Sequence, residues 1–116
     1  MPGLVNAHTH LYQVLLRAVW EDLDLLPWLR RIYGCARALR PEHFYAGSSL
    51  ACLEAIRGGV TTVCEHNFLN PDSDCAFETI RAINSHFFPL FKLSCIFSGS
   101  QSNRLLLLSS NNAYKS

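Results

Sequence analysis

The 116 residues contain no C-x-x-C pair, and the five cysteines, Cys35, Cys52, Cys64, Cys75 and Cys95, are widely spaced and odd in number. This excludes a zinc knuckle and argues against a disulfide framework. The cysteines read as buried free thiols in a reducing compartment. Charge is also scarce. Charged residues make up 16% of the chain, against roughly 25% in an ordinary soluble domain. So low a share suits strands and helices covered on several sides, and hints that covering elements are missing. Net charge is +1, with no basic stripe and no tail of one sign, so nucleic acid has no electrostatic footprint to bind. The N-terminus lacks a charged stretch followed by an apolar one, so no signal peptide is expected. The longest apolar run, Phe87 to Phe97, is broken by Pro89 and Lys92. It is shorter than the about 20 residues a membrane span needs. The expectation is a cytoplasmic chain with neither nucleic-acid nor membrane partners.

What is present alternates between two periods. Gly3 to Ala7 is short and apolar and reads as a buried strand. Residues 11 to 23 are mixed and end in Glu21, Asp22 and Asp24. Asp24 can cap a helix running to about Leu39, with Leu25, Leu29, Ile32 and Ala36 at helical spacing and Pro27 tolerated in the first turn. Pro41 opens a second helix with Phe44, Ser48, Ala51, Cys52 and Ala55 on one face, closed by Gly58 and Gly59. Val60 to Glu65 is a β-branched strand and His66 to Asp72 a polar loop. Residues 73 to 86 form a third helix on Phe77, Ile80 and Ile83. Leu90 to Phe97 reads as a third strand. The order β, α, α, β, α, β implies an α/β layer with parallel strands and right-handed crossovers. Strands this uniformly apolar are those of sheets covered on both faces. Residues 98–116 are rich in Ser and Asn around one block of leucines. They match no such element and read as a disordered end or as foreign sequence.

The chemistry concentrates in Asn6-Ala7-His8-Thr9-His10. Residues two apart on a strand share a face, so His8 and His10 can aim both imidazoles at one point. A divalent metal requires such convergence, with nitrogen donors about 2 Å away on one rigid element. Spacing alone leaves two readings open, metal ligands or histidines in structural roles. If the strand belongs to a β/α barrel, its C-terminal end lies at the active-site mouth.

Two separated segments narrow the choice. Pro2 to Leu11, with Leu15-Leu16-Arg17 and Asp24 to Leu29 after it, resembles the amidohydrolase superfamily. Gly58 to Leu69 is similar to the second-strand segment of one branch, the aminohydrolases acting on nitrogen heterocycles. These include guanine and 8-oxoguanine deaminases, S-adenosylhomocysteine-type deaminases and triazine hydrolases. The resemblance covers residues 2 to 72 well and 73 to 97 loosely. It implies a (β/α)8 TIM barrel, of which residues 1–97 would supply about the first three β/α units. It further implies one divalent metal, zinc or in some members iron, held by His8 and His10 with a third histidine and an aspartate from later strands. The expected reaction is hydrolysis of a C–N bond other than a peptide bond, by metal-activated water attacking a small nitrogen heterocycle. Full-length relatives are expected to be homodimers.

The chain departs from that pattern. Such barrels run to about 250 residues, and the later ligands and the proton-shuttling acids and bases have no counterpart here. The expectation is therefore a piece of the enzyme, inactive in isolation, with no catalytic residue assigned. The alternative is a catalytically dead remnant or interaction module with weak metal binding. A small complete α/β binding protein is disfavoured by its apolar, open-edged sheet.

For substrate contacts the candidates are His66, after the second strand, and Gln13, just past the ligands. For His66 the bland reading is a loop histidine capping a turn, and Gln13 could hydrogen-bond a heterocycle edge. Glu65 reads as a strand-end carboxylate facing solvent or as a barrel-layer partner. Arg17 is expected to pair with Asp22 or Asp24 on the surface. Trp28 reads as core and His43 as helix surface, whereas His86 falls at the end of the barrel opposite the metal.

Overall fold

The computed structural model describes residues 2–67, 71–87 and 93–97. Strand β1 is Leu4–Thr9, followed by a 3-10 helix, Leu11–Leu16. Helices α1 (Leu25–Ala36) and α2 (Pro41–Arg57) lead to strand β2, Val60–Asn67. Helix α3 (Ser73–Phe87) leads to strand β3, Leu93–Phe97. The three strands form one parallel sheet in the order β1-β2-β3. The expected α/β layer with parallel pairing is therefore present.

Each boundary has a local cause. Pro41 fits the first turn of α2, where its missing N–H has no intrahelical partner to lose. Arg40 N–H donates to His43 Nδ1 at 3.0 Å, so His43 helps close this helix start. Asp72 Oδ1 accepts the Cys75 N–H at 2.9 Å and caps α3, and these hydrogen bonds hold its carboxyl below the ordinary value. Asp24 takes the N-cap position of α1, but its side chain makes no cap hydrogen bond. The helix also ends at Ala36, short of the expected Leu39, with Ala38 N–H turning back to the Cys35 carbonyl. Gly59 has φ +80°, the left-handed conformation that glycine tolerates, and turns the chain from α2 into β2.

Two apolar clusters form the core. Leu11, Cys52, Val63 and Ile83 pack together between the sheet, α2 and α3. Tyr12, Ala36, Phe44 and Cys75 form the other, with the Tyr12 and Phe44 rings stacked at 4.5 Å. The 3-10 helix is thus wedged between β1 and α2 by Leu11 and Tyr12, its two buried residues. Gly47 permits this approach: a Cβ there would stand 2.9 Å from the Tyr12 carbonyl oxygen and 2.9 Å from Leu15 Cγ. Gly47→Ala should destabilise the fold by about 1–3 kcal/mol, the usual cost of overpacking. A fall in urea midpoint at unchanged slope is the expected reading, and an unchanged midpoint would show that α2 can simply slide away.

The sheet is less covered than its composition suggests. Leu4 and Val5 on β1 are 61% and 67% exposed, and Phe77 on α3 is 64% exposed although its helical partner Ile83 is buried. Burial of the described cysteines follows expectation more closely. Cys52 and Cys75 are buried, Cys35 and Cys64 partly so, and all four are free thiols. Residues 90–92 of the expected third strand and 98–116 of the tail lie outside the described residues. Among the described residues, no helix is long and apolar enough to cross a membrane.

Candidate metal centre

The parallel pairing of β1 with β2 brings three histidines together. His8 lies in β1. His10 lies one residue beyond it, at the N-cap of the 3-10 helix with φ −130° and ψ 80°. The two are therefore not both strand residues, yet their rings still converge. The Nε2 atoms are 3.3 Å apart. Two nitrogens each about 2.05 Å from a tetrahedral metal stand about 3.3 Å from one another, so the pair fits two corners of such a site. Among the described residues no cluster of three or more His, Cys, Asp or Glu is placed to hold a metal; these histidines offer two donors.

The tautomer of His10 is set by β2. His10 Nδ1 lies 2.6 Å from the His66 carbonyl oxygen. A carbonyl only accepts, so Nδ1 carries the proton and Nε2 presents its lone pair, as a ligating histidine does when its other nitrogen is tied to backbone. Burial, followed by the nearby His8 and His66 rings, outweighs this bond and lowers the His10 pKa below its ordinary value. His10 is thus neutral at neutral pH, the form a metal takes. Asn6 Oδ1 accepts the His8 N–H at 3.3 Å and steadies the backbone before it.

His66 belongs to β2 rather than to a following loop. Its ring stacks on His8, with centroids 4.2 Å apart, and its Nε2 lies 3.6 Å from Cys64 Sγ. Gln13 lies elsewhere. It borders a cavity of about 310 Å³ together with His10, Arg17, Glu21, Trp28 and Ile32, and its amide donates to the Tyr12 hydroxyl at 3.3 Å. His66 does not line that cavity; of the two substrate candidates, only Gln13 does. Trp28 proves to be a half-buried cavity wall rather than full core. Ala18, which also lines the cavity, and nearby Trp20 have φ 62° and 61°, a left-handed conformation that non-glycine residues rarely adopt.

One expectation is corrected, and one left open is decided. Arg17 pairs with neither Asp22 nor Asp24: its guanidinium forms a two-pronged bond with Glu54 on α2, at 2.6 and 3.2 Å. The 3-10 helix turns Arg17 toward α2, and the hydrogen bonds between them, with the paired charges, push the arginine up and the glutamate down from their ordinary values. Of the two readings of Glu65, the solvent-facing one fails, and the buried position is the one a barrel-layer partner would take. Strand alternation puts it on the buried face with Val63 and Asn67, and it is 0% exposed. Burial raises its carboxyl to about 8, against the smaller opposing effect of a hydrogen bond from Leu11 N–H. A period-two reading of Val63, Glu65 and Asn67 would have found this.

The parallel sheet and the two convergent histidines can be set beside known proteins. The amidohydrolase family model matches residues 1–106, and the chain belongs to that family. The 5'-deoxyadenosine deaminase of Methanosarcina mazei is 43% identical over 89 residues, covering 74% of this chain and 21% of the relative. The 5-methylthioadenosine/S-adenosylhomocysteine deaminase of Bacillus cytotoxicus is 41% identical over 83 residues, covering 70% and 19%. The 5'-deoxyadenosine deaminase of Methanothrix thermoacetophila is 50% identical over 62 residues, covering 53% and 15%. The chain thus spans about a fifth of the length of these curated relatives or less. In fold it is similar to a mutant atrazine chlorohydrolase TrzN from Arthrobacter aurescens TC1, solved in complex with zinc and atraton. The TM-score is 0.67 at 24% identity, over 81% of this chain and 23% of that one.

Proposed function

We propose that this chain supplies the first metal-binding strand of a hydrolase that acts on a C–N bond other than a peptide bond, releasing an amino group from a small nitrogen heterocycle. On this reading residues 1–97 form about the first three β/α units of a TIM barrel. The observation that carries it is the 3.3 Å Nε2–Nε2 separation of His8 and His10, with His10 oriented by the His66 carbonyl. Those two nitrogens would hold one divalent metal; imidazole donors suit zinc and accommodate iron. When bound, such a metal supplies activated water for attack on carbon. The chain's own residues bind and orient. Gln13 can donate to or accept from a heterocycle edge at the cavity, whose volume lies at the lower end of the range for small-ligand sites. His66, partly buried and stacked on His8, would contact a planar ring from beside the pair. The named relatives act on adenosine derivatives, which supports a purine-like substrate. The free thiols support a reducing, cytoplasmic setting.

A graft tests the reading. Residues 2–97 replace the matching segment of the Methanosarcina mazei deaminase, and ammonia release from 5'-deoxyadenosine is followed. The expected result is one metal per chain and measurable release, both abolished by His8→Ala. A folded graft that holds no metal would sink the metal assignment. Metal without release would restrict the failure to substrate recognition.

A further inference from the structure

The β1–β2 ladder is irregular where it matters most. Asn6 pairs with Val63 and Thr9 with Glu65. Three steps along β1 therefore match two along β2, so one extra residue is accommodated around Ala7 and His8. Such a bulge bends a strand and re-aims its side chains, and it leaves the ladder locally broken. Regular pairing cannot fix the next residues, because β1 ends at Thr9. His10 then begins a 3-10 helix whose first N–H groups have no partner within the helix. The His10 side chain makes no cap hydrogen bond to them.

The side chain of Glu65 fills that gap. Its Oε2 accepts the Leu11 N–H at 2.9 Å, both groups buried. Its Oε1 is buried without a hydrogen-bond partner. A carboxyl held so far from water at a cost is better explained by what Oε2 does than by packing. The geometry points to Glu65 as a positioning residue that clamps the peptide joining His10 to Leu11, and so fixes where His10 Nε2 points. With the His66 carbonyl on His10 Nδ1, consecutive residues of β2 then hold His10 from its backbone and from its ring. This inference rests on the proposed metal role of His8 and His10.

The clamp works as an acceptor rather than as a charge. Glu65 meets the His10–Leu11 peptide through a single acceptor oxygen, Oε2, which takes the Leu11 N–H. Glutamine, which keeps an oxygen at the same reach, should therefore replace it.

The test uses the whole chain and two readouts taken well below the unfolding midpoint. One is cobalt(II) and zinc(II) affinity, and the other is hydrogen exchange of the Leu11 amide. Glu65→Met should weaken metal binding about tenfold or more, the range found when a ligand's supporting partner is lost, and should expose the Leu11 amide to exchange. Glu65→Gln should stay within about threefold of wild type by the same scale. Val63→Ala, on the same buried face, should lower the midpoint but leave affinity unchanged, which separates positioning from plain stability. Should Glu65→Met not fold, Glu65→Asp, one methylene shorter, should show the same losses. A folded Glu65→Met or Glu65→Asp with wild-type affinity and a protected Leu11 amide overturns the clamp. If wild type binds no metal, the functional reading fails separately, and the amide together with the His10 ring nitrogen shifts decides the clamp: unchanged values overturn it.

Discussion

His10→Ala should reduce divalent-metal affinity by about a hundredfold or more. Losing a ligand's supporting partner alone costs about 10- to 100-fold, and this variant removes the donor itself. His8→Ala removes a donor as well and should be comparably severe. His66→Ala is the informative contrast. The tie to His10 Nδ1 comes from the His66 backbone carbonyl, which alanine retains. Metal affinity should therefore stay near wild type, while any heterocycle contact made by the ring is lost. Calorimetric titration with zinc near pH 7.5, where the lowered pKa keeps His10 neutral, measures all three. If His66→Ala costs as much as His8→Ala, the His66 imidazole is a ligand and its assignment to substrate is wrong.

The sequence made the parallel α/β order legible because each element carries its own period and its own stop, as with Pro41 before α2 and Gly59 after it. The His8–His10 pair was legible for a similar reason: strand alternation predicts convergence, and β1 delivers His8 even though His10 sits past the strand end. Contacts between distant segments were not legible. The bond from Arg17 to Glu54 spans 37 positions and that from Glu65 to Leu11 spans 54. Nothing local distinguishes Glu54 from Asp22 as a partner for Arg17. The bulge was equally hidden, since one extra residue in β1 is defined only against β2. It has a functional consequence nonetheless, because it shifts the control of His10 from regular pairing to the side chain of Glu65.

The same carboxyl should make stability fall as pH rises. Glu65 titrates at 4.5 when solvated and at about 8 when folded, chiefly because burial penalises its charged form. Between those values the native state holds a proton that the unfolded chain has released. The unfolding free energy then declines by about 1.4 kcal/mol per pH unit. The stabilisation is fully present below 4.5 and is lost as pH passes through about 8. Two neighbours narrow the useful window. The lowered pKa of His10 acts with the opposite sign, since its stabilisation is present above 6.5 and lost on acidification. The Cys52 thiol, raised by burial from 9 to about 12, adds a further loss only at alkaline pH. From pH 6.5 to 8, Glu65 should therefore dominate, and wild type should lose about 2 kcal/mol. Glu65→Gln should be nearly flat over that interval. Urea denaturation at several pH values compares the two slopes directly. Parallel slopes would mean that Glu65 is already ionised in the fold, with a counter-charge or water at Oε1 that stabilises the anion.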